Sequence, residues 1–259
     1  MQSTVLRSED HTLPRDRTNP LLVMDTLLRE RSAIWQQIHV EHRLDVLIRD
    51  LVLASAGAFA CYGAVLGLSQ GILQALASAV KLPLLFLLTL GICLPTLYVF
   101  NVLYGGRLSP RQALALILVS ITGTSIFTLA FAPVTLFFLV TGRNYQLFIL
   151  INVLILTVTG AVGLISLVKG TRYLNALNAA ETAPRADDEQ DALPAEPPVL
   201  LINPNLLWAW LGLYGFVGAQ LAWTLRPFFG MPNEPFALFR PIEGSFAESV
   251  IQMILWLAR

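Results

Sequence analysis

No Asp or Glu occurs between Asp50 and Glu181, and that stretch carries only six Lys or Arg. This scarcity excludes chemistry that needs acids at membrane depth. A paired-Asp protease has no pair to use, and ion pumps rely on intramembrane ionisable residues, which the charge-free windows are expected to lack. Histidine is nearly as rare. His11 stands in a polar tail, and His39 and His42 flank Glu41 with no third or fourth ligand following. That HxxH pair reads as a solvated helix face rather than a metal site. A Ser/His protease within the bilayer is excluded as well. Cys61 and Cys93 are the two cysteines, without a CxxC spacing, and read as small packing residues. P-loop, dinucleotide and HExxH signatures are absent, and no G-x-S-x-G nucleophile elbow is expected. The net charge is zero, so no nucleic-acid partner is expected, and no cofactor is implied. The first twenty residues are polar, with no apolar run before a cleavage site, so the first span is expected to act as the insertion signal.

What is present is apolar. The 259 residues are 55% hydrophobic and 13% charged, whereas charged residues make up about 25% of a soluble domain. Basic residues divide the acid-free stretch into windows at 51–80, 82–106, 112–142 and 144–168, and another window covers 197–225. A hydrocarbon layer about 30 Å thick needs about 20 apolar residues in a helix, so each window predicts one span. The fold class is an all-α polytopic membrane helix bundle with five spans, or six if the last helix also crosses. The lipid bilayer is its first partner.

Local signals set the expected boundaries. Ser109-Pro110, with Gln112 three residues after the serine, predicts a capping box that opens the third span. Asn203-Pro204 opens the fifth, and Pro83 after Lys81 is expected to open the second. Asn19-Pro20 starts an amphipathic helix running to Asp50, in which Met24, Leu27, Leu28, Ile34, Trp35, Ile38, Leu44, Leu47, Ile48 and, just beyond, Leu51 recur at helical steps. It lies either on the membrane surface and helix ends or against a partner or second copy. The organisation is then a polar tail (1–19), an amphipathic cytoplasmic helix (20–50), spans one to four (51–172), a disordered acidic and Pro-rich linker (173–199), span five (200–225), and an ordered Pro/Phe-rich loop with a short amphipathic helix (226–259). Arg31, Arg43, Arg49, Arg107, Arg111, Lys169 and Arg172 fall on one side, against Lys81, Arg143, Arg226 and Arg240 on the other. Positive residues favour the cytoplasm, so the N-terminus is placed inside, in the inner (plasma) membrane. Tyr104, Tyr145, Trp208, Trp210 and Trp223 lie near predicted ends, where amphipathic aromatics gather.

Gly63, Gly67 and Gly71 form overlapping GxxxG units in span one, and Gly215 and Ala219 repeat the spacing in span five. Small residues let helices approach closely, so spans one and five are expected to pack together, with homodimerisation as the alternative. Pro95 frees the Gly91 carbonyl and predicts a kink in span two. Asn101, Asn152 and Gln220 are the candidate polar lining, either as interhelical hydrogen bonders or as substrate contacts. The loop containing Arg226, Pro227, Phe228, Gly230, Pro232, Pro235 and Arg240 is expected to pack as an ordered cap, with an arginine paired to Glu234 or Glu243.

The segment from Trp223 through Arg226-Pro227-Phe228, Gly230, Pro232 and Pro235 to Phe236 resembles the closing loop of a group of uncharacterised bacterial multispan proteins. The stretch Lys81-Leu82-Pro83 through Cys93-Leu94-Pro95 is similar to the second helix of Yip1-like membrane proteins. That resemblance implies a five-helix bundle with a cytoplasmic N-terminal region and no catalytic residues. The expected function is a non-enzymatic scaffold or accessory subunit acting through its ends. The alternative is a transporter or channel for an uncharged small substrate.

Overall fold

The computed structural model describes residues 19–103, 106, 108–141, 145–182, 204–225, 228 and 238. They form α1 (Pro20–Arg29), α2 (Arg31–His39), α3 (Leu44–Gly67), α4 (Ile72–Leu103), α5 (Pro110–Ala130), α6 (Ala132–Thr141), α7 (Tyr145–Thr182) and α8 (Pro204–Thr224). Among the described residues there is no strand. Four stretches are long and apolar enough to cross a membrane: Ile72–Leu103, Pro110–Thr141, Leu147–Glu181 and Asn205–Thr224. The second of these is α5 and α6 in succession. Phe131 interrupts it with a tight turn, two residues before Pro133, which has no N–H to continue the ladder.

The N-terminal helix expected over 20–50 is divided. Asn19 caps α1 by accepting from the Leu21 N–H at 3.1 Å. Glu30, at φ −131° and ψ 58°, separates α1 from α2. A second break follows at 40–43, where Glu41 and Arg43 are left-handed at φ 55° and 50°. Helix α3 then runs on from Leu44 into the apolar window. The helical period is present throughout, but burying Leu27, Ile34, Trp35 and Ile38 on the bundle requires the chain to bend around it. Helix α1 rests on α3 and α5, and α2 rests on α5 and α7.

The division between the first two long helices also differs from the charge pattern. It falls at residues 68–71, and Lys81 and Pro83 lie inside α4. A transmembrane helix tolerates proline because its neighbours re-satisfy the freed backbone. Helix α4 continues through both Pro83 and Pro95. At the other end, α7 extends to Thr182, so the first ten residues of the expected linker are helical. Its 38 residues span about 57 Å at 1.5 Å per residue, well beyond a 30 Å hydrocarbon layer. The remainder of the linker lies outside the described residues. So do the Pro/Phe-rich loop, apart from Phe228 and Leu238, and the short final helix.

Helix α5 is the centre of the bundle. It buries two-thirds of its 21 residues and packs against α3, α4 and α7. Its N-terminus carries the capping box: Ser109 accepts from the Gln112 N–H at 3.2 Å, and the Gln112 side chain accepts from the Ser109 N–H at 3.1 Å. The Gln112 amide nitrogen also donates to the Ile38 and His39 carbonyls at 3.2 and 3.3 Å. One side chain thus starts a helix and ties down the end of α2.

Candidate functional site

Small residues fix how closely the helices approach. Gly63 and Gly67 face α4. A Cβ on Gly63 would come within 2.9 Å of the Ser78 carbonyl carbon, and one on Gly67 within 2.6 Å of the Ala75 backbone. Gly71 does not share that face. It sits in the turn at φ +141°, a conformation that suits glycine, and its Cβ position is open. Gly215 is likewise open on α8. The expected packing of spans one and five is therefore replaced. Helix α8 rests on α4, where Gly218 meets Thr89, and Ala219 lies beside that contact without forming an α3 seam. Trp210 donates to the Cys93 carbonyl at 2.8 Å and is buried there.

Two further glycines are not singled out by the GxxxG spacing. A Cβ on Gly163 would collide with Thr124 of α5, and one on Gly170 with the Trp35 ring of α2. They are seven residues apart, so both face the same side of α7. An interior glycine costs a helix about 1 kcal/mol relative to alanine, which is itself a sign of a packing role.

The candidate polar residues do not line one path. Asn152 of α7 is fully buried and consumed by its neighbours. Tyr62 of α3 donates to its side-chain oxygen at 2.8 Å, Thr135 of α6 donates at 2.9 Å, and its own nitrogen donates to the Phe148 carbonyl at 2.7 Å. Asn101 lies near the opposite end of the bundle, 1% exposed, beneath Gly106. Among the described residues, neither its side-chain oxygen nor its nitrogen has a hydrogen-bond partner. Gln220 is half-buried near the end of α8. The hydroxyls of α5 bond both within the helix and across to its neighbours. Thr124 and Ser125 bond back to their own helix, while Ser120 reaches the Gly163 carbonyl at 2.5 Å and Thr122 the Leu51 carbonyl at 3.2 Å.

A second polar stripe lies on α4, where Gln74, Ser78 and Lys81 are all buried. The Ser78 hydroxyl donates to the Phe228 carbonyl at 2.7 Å, and the Lys81 ammonium donates to the Leu238 carbonyl. Lys81 is 4% exposed. The reading of Lys81 as a flank residue, and of the spans as free of ionisable groups, is corrected accordingly. Its ammonium meets the Leu238 carbonyl, a tertiary contact that charge spacing does not reveal.

The expectation that no G-x-S-x-G is present is corrected: Gly67-Leu68-Ser69-Gln70-Gly71 has the spacing of a nucleophile elbow. Such an elbow joins a strand to a helix; this turn joins two helices, and the Ser69 hydroxyl donates to the Leu66 carbonyl at 3.1 Å. His39 lies at the other end of the bundle, 3.7 Å from Glu181. Among the described residues no cluster of His, Cys, Asp or Glu could hold a metal ion. No family model, curated protein or solved structure matches the chain.

Proposed function

We propose that this chain is a non-enzymatic integral membrane protein, a scaffold or accessory subunit that meets its partners through its terminal regions. Its five spans are α3, α4, α5 with α6, α7 and α8, and its N-terminus lies in the cytoplasm at the inner (plasma) membrane. The observation that carries this reading is the N-terminal pair of helices. Leu27, Ile34, Trp35 and Ile38 hold the pair on the bundle. Meanwhile Leu21, Leu22 and Leu28 of α1 remain 70%, 44% and 49% exposed. A docked helix with leucines to spare on its outer side is suited to a second protein. The Yip1-like resemblance agrees with the span count and orientation, but the reading does not depend on it.

Transport of an uncharged small substrate is the second reading. It is favoured by Asn101, a buried amide with no partner for either polar atom among the described residues. Affinity purification of the full-length protein separates the two. The scaffold reading expects a stoichiometric membrane-protein partner that is lost in Leu21→Ser/Leu28→Ser. A protein that purifies alone, and that gives saturable flux of neutral solutes in liposomes abolished by Asn101→Ala, would establish transport instead.

A further inference from the structure

Contacts between the helices mark how deep each element lies in the bundle. Gln112, at the start of α5, holds the Ile38 and His39 carbonyls at the end of α2. Trp35 packs on Gly170, seven residues along α7 from Gly163, whose carbonyl accepts from Ser120 of α5. Leu27 of α1 lies 3.9 Å from the position of a Cβ on Gly123. From Gln112 to Gly123 is about 16 Å along α5 at 1.5 Å per residue. The N-terminal pair therefore does not merely cap the helix ends. It descends beside α5 by about half of a 30 Å hydrocarbon layer, the depth of one leaflet.

Polar side chains follow it down. Asp25, Arg29, Glu30, Arg31 and Gln36 are all exposed on the pair. On α3 the exposed charge reaches Arg49, two residues before Leu51, whose carbonyl accepts from Thr122 of α5. The α4 flank is apolar at the same depth. Gly63 meets Ser78 and Gly67 meets Ala75, and extending that antiparallel register sets Arg49 level with Ile92. Ile92, Val99, Phe100 and Leu103 are 49%, 54%, 44% and 72% exposed. No charged residue follows Lys81 in α4. The end of α4 is also level with the start of α5, where the Gly106 N–H donates to the Asn101 carbonyl at 2.8 Å. A long exposed apolar face belongs in hydrocarbon, whereas exposed guanidinium and carboxylate groups do not. A flat membrane boundary cannot serve both flanks.

We propose that the outer surface of α1, α2 and the start of α3 binds phospholipid headgroups, drawing one leaflet down beside the bundle while hydrocarbon reaches Leu103 on the α4 flank. Local thinning with entry of water is how a bilayer accommodates charge at depth. The protein then dents one leaflet on one side. The inference goes beyond the scaffold reading and stands whether or not a protein partner meets α1.

The test uses the full-length protein without Cys61 and Cys93, reconstituted alone in phosphatidylcholine vesicles. A bimane fluorophore is attached to Ser32→Cys on α2, or to Ile92→Cys or Val99→Cys on α4, all exposed positions. Lipids carrying a nitroxide on the headgroup should quench Ser32→Cys at least about threefold more than lipids carrying it mid-chain, with the reverse order at Ile92→Cys and Val99→Cys. Hydrogen exchange in the same vesicles should show 20–39 protected, as expected of a docked pair. Quenching of Ser32→Cys by the mid-chain nitroxide as strongly as Ile92→Cys would overturn the proposal, since the leaflet would then be undented. Quenching of Ser32→Cys by neither lipid would mean that water or a second copy covers the pair. Absence of mid-chain quenching on α4 would place a flat boundary deeper than both flanks, and unprotected exchange across 20–39 would mean the pair is not docked at depth. Each of these results would also refute it.

Discussion

At the residue scale, positions that look alike in the sequence face very different surroundings. Gly57 and Gly67 both interrupt α3. A methyl on Gly57 meets nothing within 4 Å, whereas one on Gly67 meets the Ala75 backbone at 2.6 Å. Gly67→Ala should therefore pry α3 from α4 and cost about 1–3 kcal/mol. Gly57→Ala should be neutral or stabilising by up to about 1 kcal/mol, because alanine is the better helix former. Thermal melts of the two variants in the same detergent check the contrast. The two asparagines form a second pair. Asn152→Leu removes the acceptor shared by Tyr62 and Thr135, which are 3.3 Å apart and can partly compensate each other. Its cost should be about 1–2 kcal/mol, the upper end for an interhelical bond. Asn101→Leu removes an amide with no partner among the described residues and should raise the melting temperature, recovering part of the roughly 1–3 kcal/mol that an orphaned polar group costs. A loss of stability at Asn101 as large as that at Asn152 would mean the amide is satisfied in the membrane.

At the scale of the element, a boundary was legible where a local residue makes it. Ser109, Pro110 and Gln112 announce α5 because capping is a short-range event, and Asn19-Pro20 announces α1 for the same reason. The division of α3 from α4 follows turn chemistry rather than charge spacing, so it falls at 68–71 and not at Lys81. Ser69, Gln70 and Gly71 are polar or conformationally free residues within an apolar run, and they mark the true turn. Lys81 could not be interpreted locally, since its acceptor lies 157 positions away. The Gly163 and Gly170 contacts were hidden for a related reason: the glycines are visible, but the residues they admit, Thr124 and Trp35, lie on other helices. These long-range contacts suggest a test of docking. Gln112→Ala releases the carbonyls of Ile38 and His39, and Gly170→Leu displaces the Trp35 ring. Each should leave the long helices folded while hydrogen exchange across 20–39 rises at least tenfold. Exchange rising equally in α5 and α7 would show that the N-terminal pair is part of the cooperative core.

On the scale of the whole molecule, the status of α3 decides the topology. Its apolar portion, 51–67, is about 26 Å long at 1.5 Å per residue, slightly short of a 30 Å hydrocarbon layer. The buried Asp50 at its start pairs with Arg49 at 3.3 Å. Yet α3 is packed along α4 and α5, both of which are within stretches long enough to cross. The turn at 68–71 is too short for α3 to end at a different depth from the start of α4. If α3 crosses, Val40 before it and Ser69 after it lie on opposite sides of the membrane. Val40 is 72% exposed, so cysteine there reports on solvent without disturbing packing. In a background lacking Cys61 and Cys93, a membrane-impermeant maleimide applied to intact cells should label Ser69→Cys and spare Val40→Cys. Permeabilisation should then make Val40→Cys reactive. Labelling of both positions in intact cells, or of neither, would place the ends of α3 on one side and reduce the bundle to four crossings. Arg111 at the start of α5 reaches Asp45 at the start of α3, so a crossing α4 predicts that Val40 and Ser69 lie on opposite sides. The result therefore tests the span itself rather than the charge rule that orients it.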